Sequence, residues 1–254
     1  MFFNPKFLYK GIESDDYDVF LCQVGKSNIT GNILSQTLNS EKSRNNNKSS
    51  LYDINKENLR FSINVTSRNW TNTVKNNILK WFCDDEKTYH PFISRDDETI
   101  LYYCKPISID KTFFQSPQGY LTIDFECNAP WGFKLPQVNT YNISSSPTTI
   151  TINNPTNCVK YYYPEIEITL NGTSVSLKNK SLDDETMSFS GLTNGETIYL
   201  NAERQEILSS LGDNVYRFDK HNGIFLRLIQ GNNQIEVTGQ CTLKIKTEYP
   251  ILTL

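Results

Sequence analysis

Apolar and polar residues alternate with period two in segment after segment of this chain, and no other feature restricts its folding as much. Leu59-Arg60-Phe61-Ser62-Ile63-Asn64-Val65-Thr66, Tyr120-Leu121-Thr122-Ile123-Asp124-Phe125-Glu126-Cys127 and Pro164-Glu165-Ile166-Glu167-Ile168-Thr169-Leu170 all show it. Successive side chains of a strand point to opposite faces, so each segment reads as a half-buried strand. Shorter apolar runs at 18–24, 99–104 and 105–109 read the same way. Toward the C-terminus, Val175-Ser176-Leu177, Met187-Ser188-Phe189, 193–200, 223–228, 234–239 and 241–246 continue the pattern. Asn171-Gly172 is a strong hairpin signal, and Gly231-Asn232-Asn233 reads as a turn. Strands at intervals of about ten residues, separated by turn residues, predict a β-sandwich.

One segment has the helical period instead. Trp70, Val74, Ile78 and Phe82 recur every four residues, with Leu79 and Trp81 widening the stripe. This predicts a helix with Thr66 or Ser67 as its N-cap, ended by Asp84-Asp85-Glu86. The stripe reads as core packing. At about 100–200 residues per domain, 254 residues make one large domain or two modest ones. Residues 132–157 carry Pro136, Pro147 and Pro155 among many Ser, Thr and Asn. Proline cannot donate to a strand ladder, so the stretch reads as a linker or an edge-strand transition. Two domains are expected, 1–135 and 136–254, in a mainly β fold.

Residues 26–50 are mostly polar and read as one long loop. Loops beyond about 12–15 residues in a compact domain are usually functional or disordered. The expectation is a loop ordered against a neighbouring subunit. Lys26, Asn28, Asn32, Arg44, Asn46 and Lys48 are its candidate interface residues.

Composition narrows the function. Lys plus Arg is 25 and Asp plus Glu is 28, a net charge of −3, without the basic excess of a nucleic-acid binder. No run approaches the roughly 18 apolar residues that would span a bilayer, so no membrane insertion is expected. The opening MFFNPKFLYKG lacks an apolar signal core, so no secretory signal is expected. The cysteines at 22, 83, 104, 127, 158 and 241 are scattered, without a C-x-x-C, and read as reduced thiols. His90 and His221 lie at no ligand spacing from a cysteine pair and read as solvated loop residues, so neither a metal nor a cofactor is expected. The N-x-S/T triplets follow from the high Asn, Ser and Thr content.

Nothing points to catalysis. There is no G-x-S-x-G elbow, P-loop or G-x-G-x-x-G. The clusters Asp84-Asp85-Glu86, Asp96-Asp97-Glu98 and Asp183-Asp184-Glu185 fall between expected elements, where Asp forms turns. Tyr161, Tyr162 and Tyr163 are the candidate glycan platform, with Tyr102-Tyr103 beside them in kind. The competing reading is that consecutive tyrosines in a strand pack on both faces.

With this pattern assembled, the chain resembles the distal tail protein family of long-tailed siphophages and related tail-like particles. Tyr9-Lys10-Gly11-Ile12-Glu13-Ser14-Asp15-Asp16-Tyr17 is similar to the family's opening, with Lys10 where Asn is usual. The helix ending Leu79-Lys80-Trp81-Phe82 before an acidic turn resembles the family's helix. The strand 122–127 running into Ala129-Pro130-Trp131 resembles the end of its first domain. Residues 157–168 resemble the start of its second domain, and 231–239 its closing hairpin. These stretches keep the family's order and cover nearly the whole chain.

The resemblance implies an N-terminal β-sandwich or split-barrel-like ring domain with one α-helix, and a C-terminal galectin-like β-sandwich. It implies a non-enzymatic homo-hexameric ring at the tail tip of the virion, made in the host bacterial cytoplasm. Its expected partners are the tail tube protein, a tail-associated hub or lysin protein, and receptor-binding or baseplate proteins. DNA would pass through the lumen without specific binding, which a slightly acidic chain suits. Two rival readings are a carbohydrate-binding host-recognition module and another tail tube or minor tail subunit.

Overall fold

The alternating segments assemble into antiparallel sheets, each burying one face. The structure is a computed structural model that describes residues 4–22, 36–42, 49–56, 58–85, 87–113, 118–212 and 215–252. The chain divides into two compact units, Met1–Phe133 with the last three residues, and Lys134–Ile251. The fold is mainly β with one α-helix, as expected.

The first unit contains β1 (Phe7–Tyr9), β2 (Ile12–Glu13), β3 (Val19–Leu21), β4 (Gln36–Lys42), β5 (Ser49–Lys56), β6 (Arg60–Ser67), α1 (Asn72–Cys83), β7 (His90–Ser94), β8 (Ile100–Phe113), β9 (Gly119–Cys127) and β10 (Gly132–Lys134). Its main sheet has the order β2-β1-β7-β8-β9-β6-β3 and curls as a half-barrel, with β10 also paired to β8. The sheet's core includes Phe7, Tyr9, Ile63, Val65, Phe92, Ile123 and Phe125, with Ile78, Trp81 and Phe82 of α1 in the same cluster. Trp81 lies parallel to Phe7 at 5.6 Å between ring centroids and also contacts Tyr17 at 5.1 Å. Its indole Nε1 donates to the Tyr9 carbonyl at 3.1 Å, so this large ring is buried without an unpaired donor.

The helix begins later than expected. Its N-cap is Thr71, whose Oγ1 accepts from the Val74 amide at 3.2 Å, because Thr66 and Ser67 belong to β6. Trp70 therefore precedes the helix. Its indole donates to the Gly119 carbonyl at 3.0 Å and its ring meets Phe113 edge-on. Leu79 is half exposed, off the buried stripe.

Strands expected separately at 99–104 and 105–109 are one strand, β8. It passes Pro106 by a bulge: Pro106 faces Phe125 and Ser108 faces Asp124, leaving Ile107 unpaired. At the other end of the sheet, Tyr9 and Ile12 face each other across the two-residue turn Lys10-Gly11, with φ of 54° and 74°. A turn of this kind needs positive φ at both central residues, which Asn tolerates better than Lys. Lys10 is held there by its ion pair with Asp84 at the C-cap of α1.

The second unit contains β11 (Gln137–Ile143), β12 (Thr148–Asn154), β13 (Tyr161–Tyr162), β14 (Glu165–Leu170), β15 (Ser174–Asn179), β16 (Glu185–Ser190), β17 (Thr197–Asn201), β18 (Glu206–Ser209), β19 (Leu228–Ile229), β20 (Gly231–Thr238) and β21 (Cys241–Thr247). A five-stranded sheet, β11-β21-β14-β17-β18, and a four-stranded sheet, β12-β20-β15-β16, share one hydrophobic core. Ile168, Ile198 and Leu243 of the first sheet and Leu177, Met187 and Ile235 of the second are among its buried members. The proline-bearing stretch expected as linker or edge transition forms the two edge strands β11 and β12.

The hairpin expected at Asn171-Gly172 is a sheet-to-sheet arch instead, and a second arch lies at Gly239-Gln240. Asn171-Gly172 joins β14 to β15, and Gly239-Gln240 joins β20 to β21, each pair lying in different sheets. A third arch, 144–147, joins β11 to β12. The three are tied together. The Asn171 amide donates to the Gln240 carbonyl at 2.8 Å, and the Gly239 amide to Ser146 Oγ at 2.9 Å. Gly239 has φ of 105°, and a Cβ there would lie 2.6 Å from the Ser174 carbonyl oxygen, so only glycine fits. Residues 223–227 are not a strand, and Gly231-Asn232-Asn233 starts β20 and is not a turn.

Trp81→Ala should lower the stability of the first unit by roughly 3–5 kcal/mol, the range for deleting a buried aromatic ring. Leu79→Ala, on the same helix but half exposed, should cost less than about 1 kcal/mol. Urea denaturation followed by circular dichroism checks both.

Candidate assembly and binding surfaces

The segment expected as one loop, 26–50, contains strand. β4 and β5 pair as an antiparallel ribbon from Gln36↔Lys56 to Lys42↔Ser49, with an irregularity at Asn39/Ser40. Leu38 and Ile54 face each other in its register, an apolar pair inside a polar sequence that a composition-based reading averages away. The ribbon is an excursion between β3 and β6, which are themselves hydrogen-bonded neighbours. Lys26, Asn28, Asn32, Arg44, Asn46 and Lys48 lie outside the described residues.

The first unit also carries an open cleft of about 840 Å³ between α1 and β8. Leu79, Phe82 and Cys83 line it from the helix, and Ile107, Ile109 and Leu121 from the sheet. Leu79 is 48% exposed and Ile107, the bulge residue, 49%. The sheet's polar face opposes its core. There Asp124 accepts from Ser62 and, at 2.6 Å, from Ser108, while Arg60 holds Glu126 through its Nε at 3.0 Å.

In the second unit, three buried asparagines fasten segment 227–231 to the sandwich. Asn233 Oδ1 accepts from the Ile229 amide at 2.9 Å and from Asn179 Nδ2 at 3.1 Å. Its own Nδ2 donates to the carbonyls of Ile229 at 2.8 Å and Gly231 at 3.0 Å. Asn154 Nδ2 reaches the Ile229 carbonyl at 3.1 Å. A second buried polar centre is Glu196, which accepts from Arg217 Nε at 2.7 Å, Ser209 Oγ at 2.6 Å and the Thr193 amide at 2.9 Å. Burial raises the Glu196 pKa, but these donors outweigh it and hold the carboxyl below its usual range.

The candidate glycan platform does not form as one surface. Tyr162 is buried, its hydroxyl accepting the Glu248 amide at 2.7 Å and its ring packed on Tyr249 at 4.6 Å. Tyr161 is half-buried, with the Arg227 guanidinium 4.3 Å from its ring centroid. Tyr163, also half-buried, follows the strand and meets the same Arg227 guanidinium. The alternation that places consecutive residues on opposite faces separates Tyr162 from its two neighbours.

The histidines differ from the solvated-loop reading. His90 opens β7, is only partly exposed, and stands 3.3 Å from Asp85. His221 is buried between Phe189 at 4.6 Å and Phe225 at 4.9 Å, and desolvation lowers its pKa from 6.5. The acidic clusters are engaged within the fold: Asp85 accepts from the Lys87 and Thr88 amides, Asp97 from Thr99, and Glu185 from the distant Arg227. Among the described residues no group of three metal-ligating side chains comes together. None of the six cysteines forms a disulfide. Cys104 and Cys127 face each other across β8 and β9, and burial raises both pKa values, that of Cys127 to about 12.

A family model described as the phage tail protein N-terminal domain matches residues 3–129, and one described as the phage tail C-terminal domain matches 131–247. The chain belongs to this family of phage tail proteins. Among solved structures, the Dit protein of phage SPP1 aligns over 96% of this chain and 98% of its own, with TM-score 0.66 and 12% identity. That structure is described as a paradigm of the hub adsorption apparatus in phages infecting Gram-positive bacteria. The likeness shows a shared fold, the one the distal tail resemblance implies. The phage P2 baseplate in its activated conformation, with Ca, aligns over 95% of this chain and 97% of the other, at 12% identity and TM-score 0.47. No curated protein matches the sequence significantly.

Two outcomes check this description. Asn233→Ala should destabilise the second unit by about 2–3 kcal/mol, since buried donors and acceptors lose their partner; differential scanning calorimetry reads it. His221 takes up a proton less readily in the fold than in the unfolded chain, whose imidazole does so below about 6.5. The second unit should therefore lose stability as pH falls through 6.5 toward the lower folded pKa. Melting curves from pH 7.5 to 5 should flatten in His221→Phe.

Proposed function

We propose that this phage tail protein is a structural ring component at the distal end of the tail. Six copies surround a lumen, joining the tail tube on one side to a tail-associated hub protein on the other. Baseplate or receptor-binding proteins attach at the periphery. The observation that carries the reading is the fold match to the SPP1 Dit protein, which runs through both units over nearly its full length. A tube subunit would not need the second, sandwich unit.

The β4–β5 ribbon supports the reading from within the chain. It leaves the sheet between two strands that already pair, so the first unit does not need it to close its own sheet. A closed ring needs a heterologous contact repeated around an axis, and a two-stranded ribbon with edges of its own supplies main-chain partners for one. The slightly acidic chain, with net charge −3, suits a conduit that DNA crosses without adhering. The two units correspond to a ring-forming part and an outward part.

Light scattering on the purified protein should give a mass of about 176 kDa, six times the 29.3 kDa chain, with six-fold views in negative stain. Removing residues 27–56 should leave circular dichroism nearly unchanged and reduce the particle to monomer. A variant that remains hexameric refutes the ribbon's role, and a monomeric wild type refutes self-assembly of the ring.

A further inference from the structure

The outward face of the five-stranded sheet is an ordered ladder that neither the core nor the arches use. One row across it reads Thr140, Lys244, Glu167, Tyr199, Leu208, and the next Val138, Lys246, Glu165, Asn201, Glu206. Tyr199 is 46% exposed and Leu208 51%, side by side on β17 and β18. All the residues of these rows but Thr140 line an open groove of about 350 Å³ together with Arg204. The charges are already paired: Lys244 Nζ donates to Glu167 at 2.7 Å and Lys246 Nζ to Glu165 at 2.8 Å. Three carboxylates, Glu165, Glu167 and Glu206, match three bases, Arg204, Lys244 and Lys246.

We propose that this face is a binding site for a neutral oligosaccharide, with one sugar ring stacked on Tyr199. The charge balance selects the ligand. A polyanion or polycation finds no excess of opposite sign on a face whose groups cancel. An apolar partner would strand the charged pairs out of water, which costs more than Tyr199 and Leu208 return. A neutral sugar has both characters needed, a C–H face for an aromatic ring and hydroxyls for paired carboxylates, amides and ammonium groups. Glu167 faces Tyr199 across the ladder, and its carboxylate is placed to accept from those hydroxyls, while Asn201, two residues along the same strand, is held by Glu165 and the Arg204 amide. The platform is hydrogen-bonded on both sides within the sheet, so little ordering accompanies binding. Tyr161, by contrast, already has a cation over its ring.

The test is titration calorimetry of the full chain with maltohexaose, cellohexaose, chitohexaose and a β-1,4-galactotetraose, with heparin as the charged comparator. At least one neutral oligosaccharide should bind, with an affinity that changes little between low and high salt. Tyr199→Ala should weaken it about tenfold, the scale of one lost stacking contact, and Tyr161→Ala should leave it unchanged. Native mass should be the same in wild type and Tyr199→Ala, which separates this site from assembly. Absence of binding to all four sugars, preference for heparin, or binding indifferent to Tyr199→Ala overturns the proposal.

Discussion

An alternating strand has a single apolar face, and everything in this molecule follows from how that face is covered. The first unit covers its sheet by curling it around one helix, so that Trp81 and Phe82 fill the hollow against Phe7, Tyr9 and Phe125. The second unit covers one sheet with another. Both solutions leave an opposite face free to be polar, and it is there that the side chains form registered ladders, Ser62–Asp124–Ser108 in one unit and Glu165–Lys246 in the other. Surfaces available for partners are therefore a by-product of how the cores close.

Two polar groups that enter the interior are held by several bonds each. Asn233 and Glu196 each use several bonds at once, and each fixes a segment that has little regular structure of its own. Arg217 turns inward to Glu196, while its neighbours Tyr216 and Phe218 are left exposed. Rigid irregular segments on a sandwich are a suitable support for recognition, because their positions do not depend on what binds them.

Much of this was legible before any coordinates. Period two located most strands because burial of one face is written directly into side-chain order, and the four-residue spacing from Val74 to Phe82 found the helix. The order of short stretches along the chain pointed to the tail-protein family. What was hidden was long-range. Asn171-Gly172 states that the backbone turns with positive φ, but not whether the returning strand pairs with its predecessor or crosses to another sheet. That choice is made by the core, which needs Leu177 facing the first sheet's isoleucines. Asn233 looks like a turn former because its distant buried partners, Asn179 and Ile152, are invisible in a local window. The tyrosine run looked like a platform because sequence adjacency was read as surface adjacency, whereas Tyr199 gains its neighbours only from strands far away in the chain.

The pairing of β11 with β21 also has a mechanical meaning. Gln137, where the chain starts the sandwich, lies opposite Thr247, where it finishes. Tension applied between those two points would not shear a block of hydrogen bonds together. It would open the β11–β21 ladder one rung at a time, from Gln137↔Thr247 toward Ile143↔Cys241. The sandwich is thus a module whose ends share an address, and it yields gradually to pulling at that address.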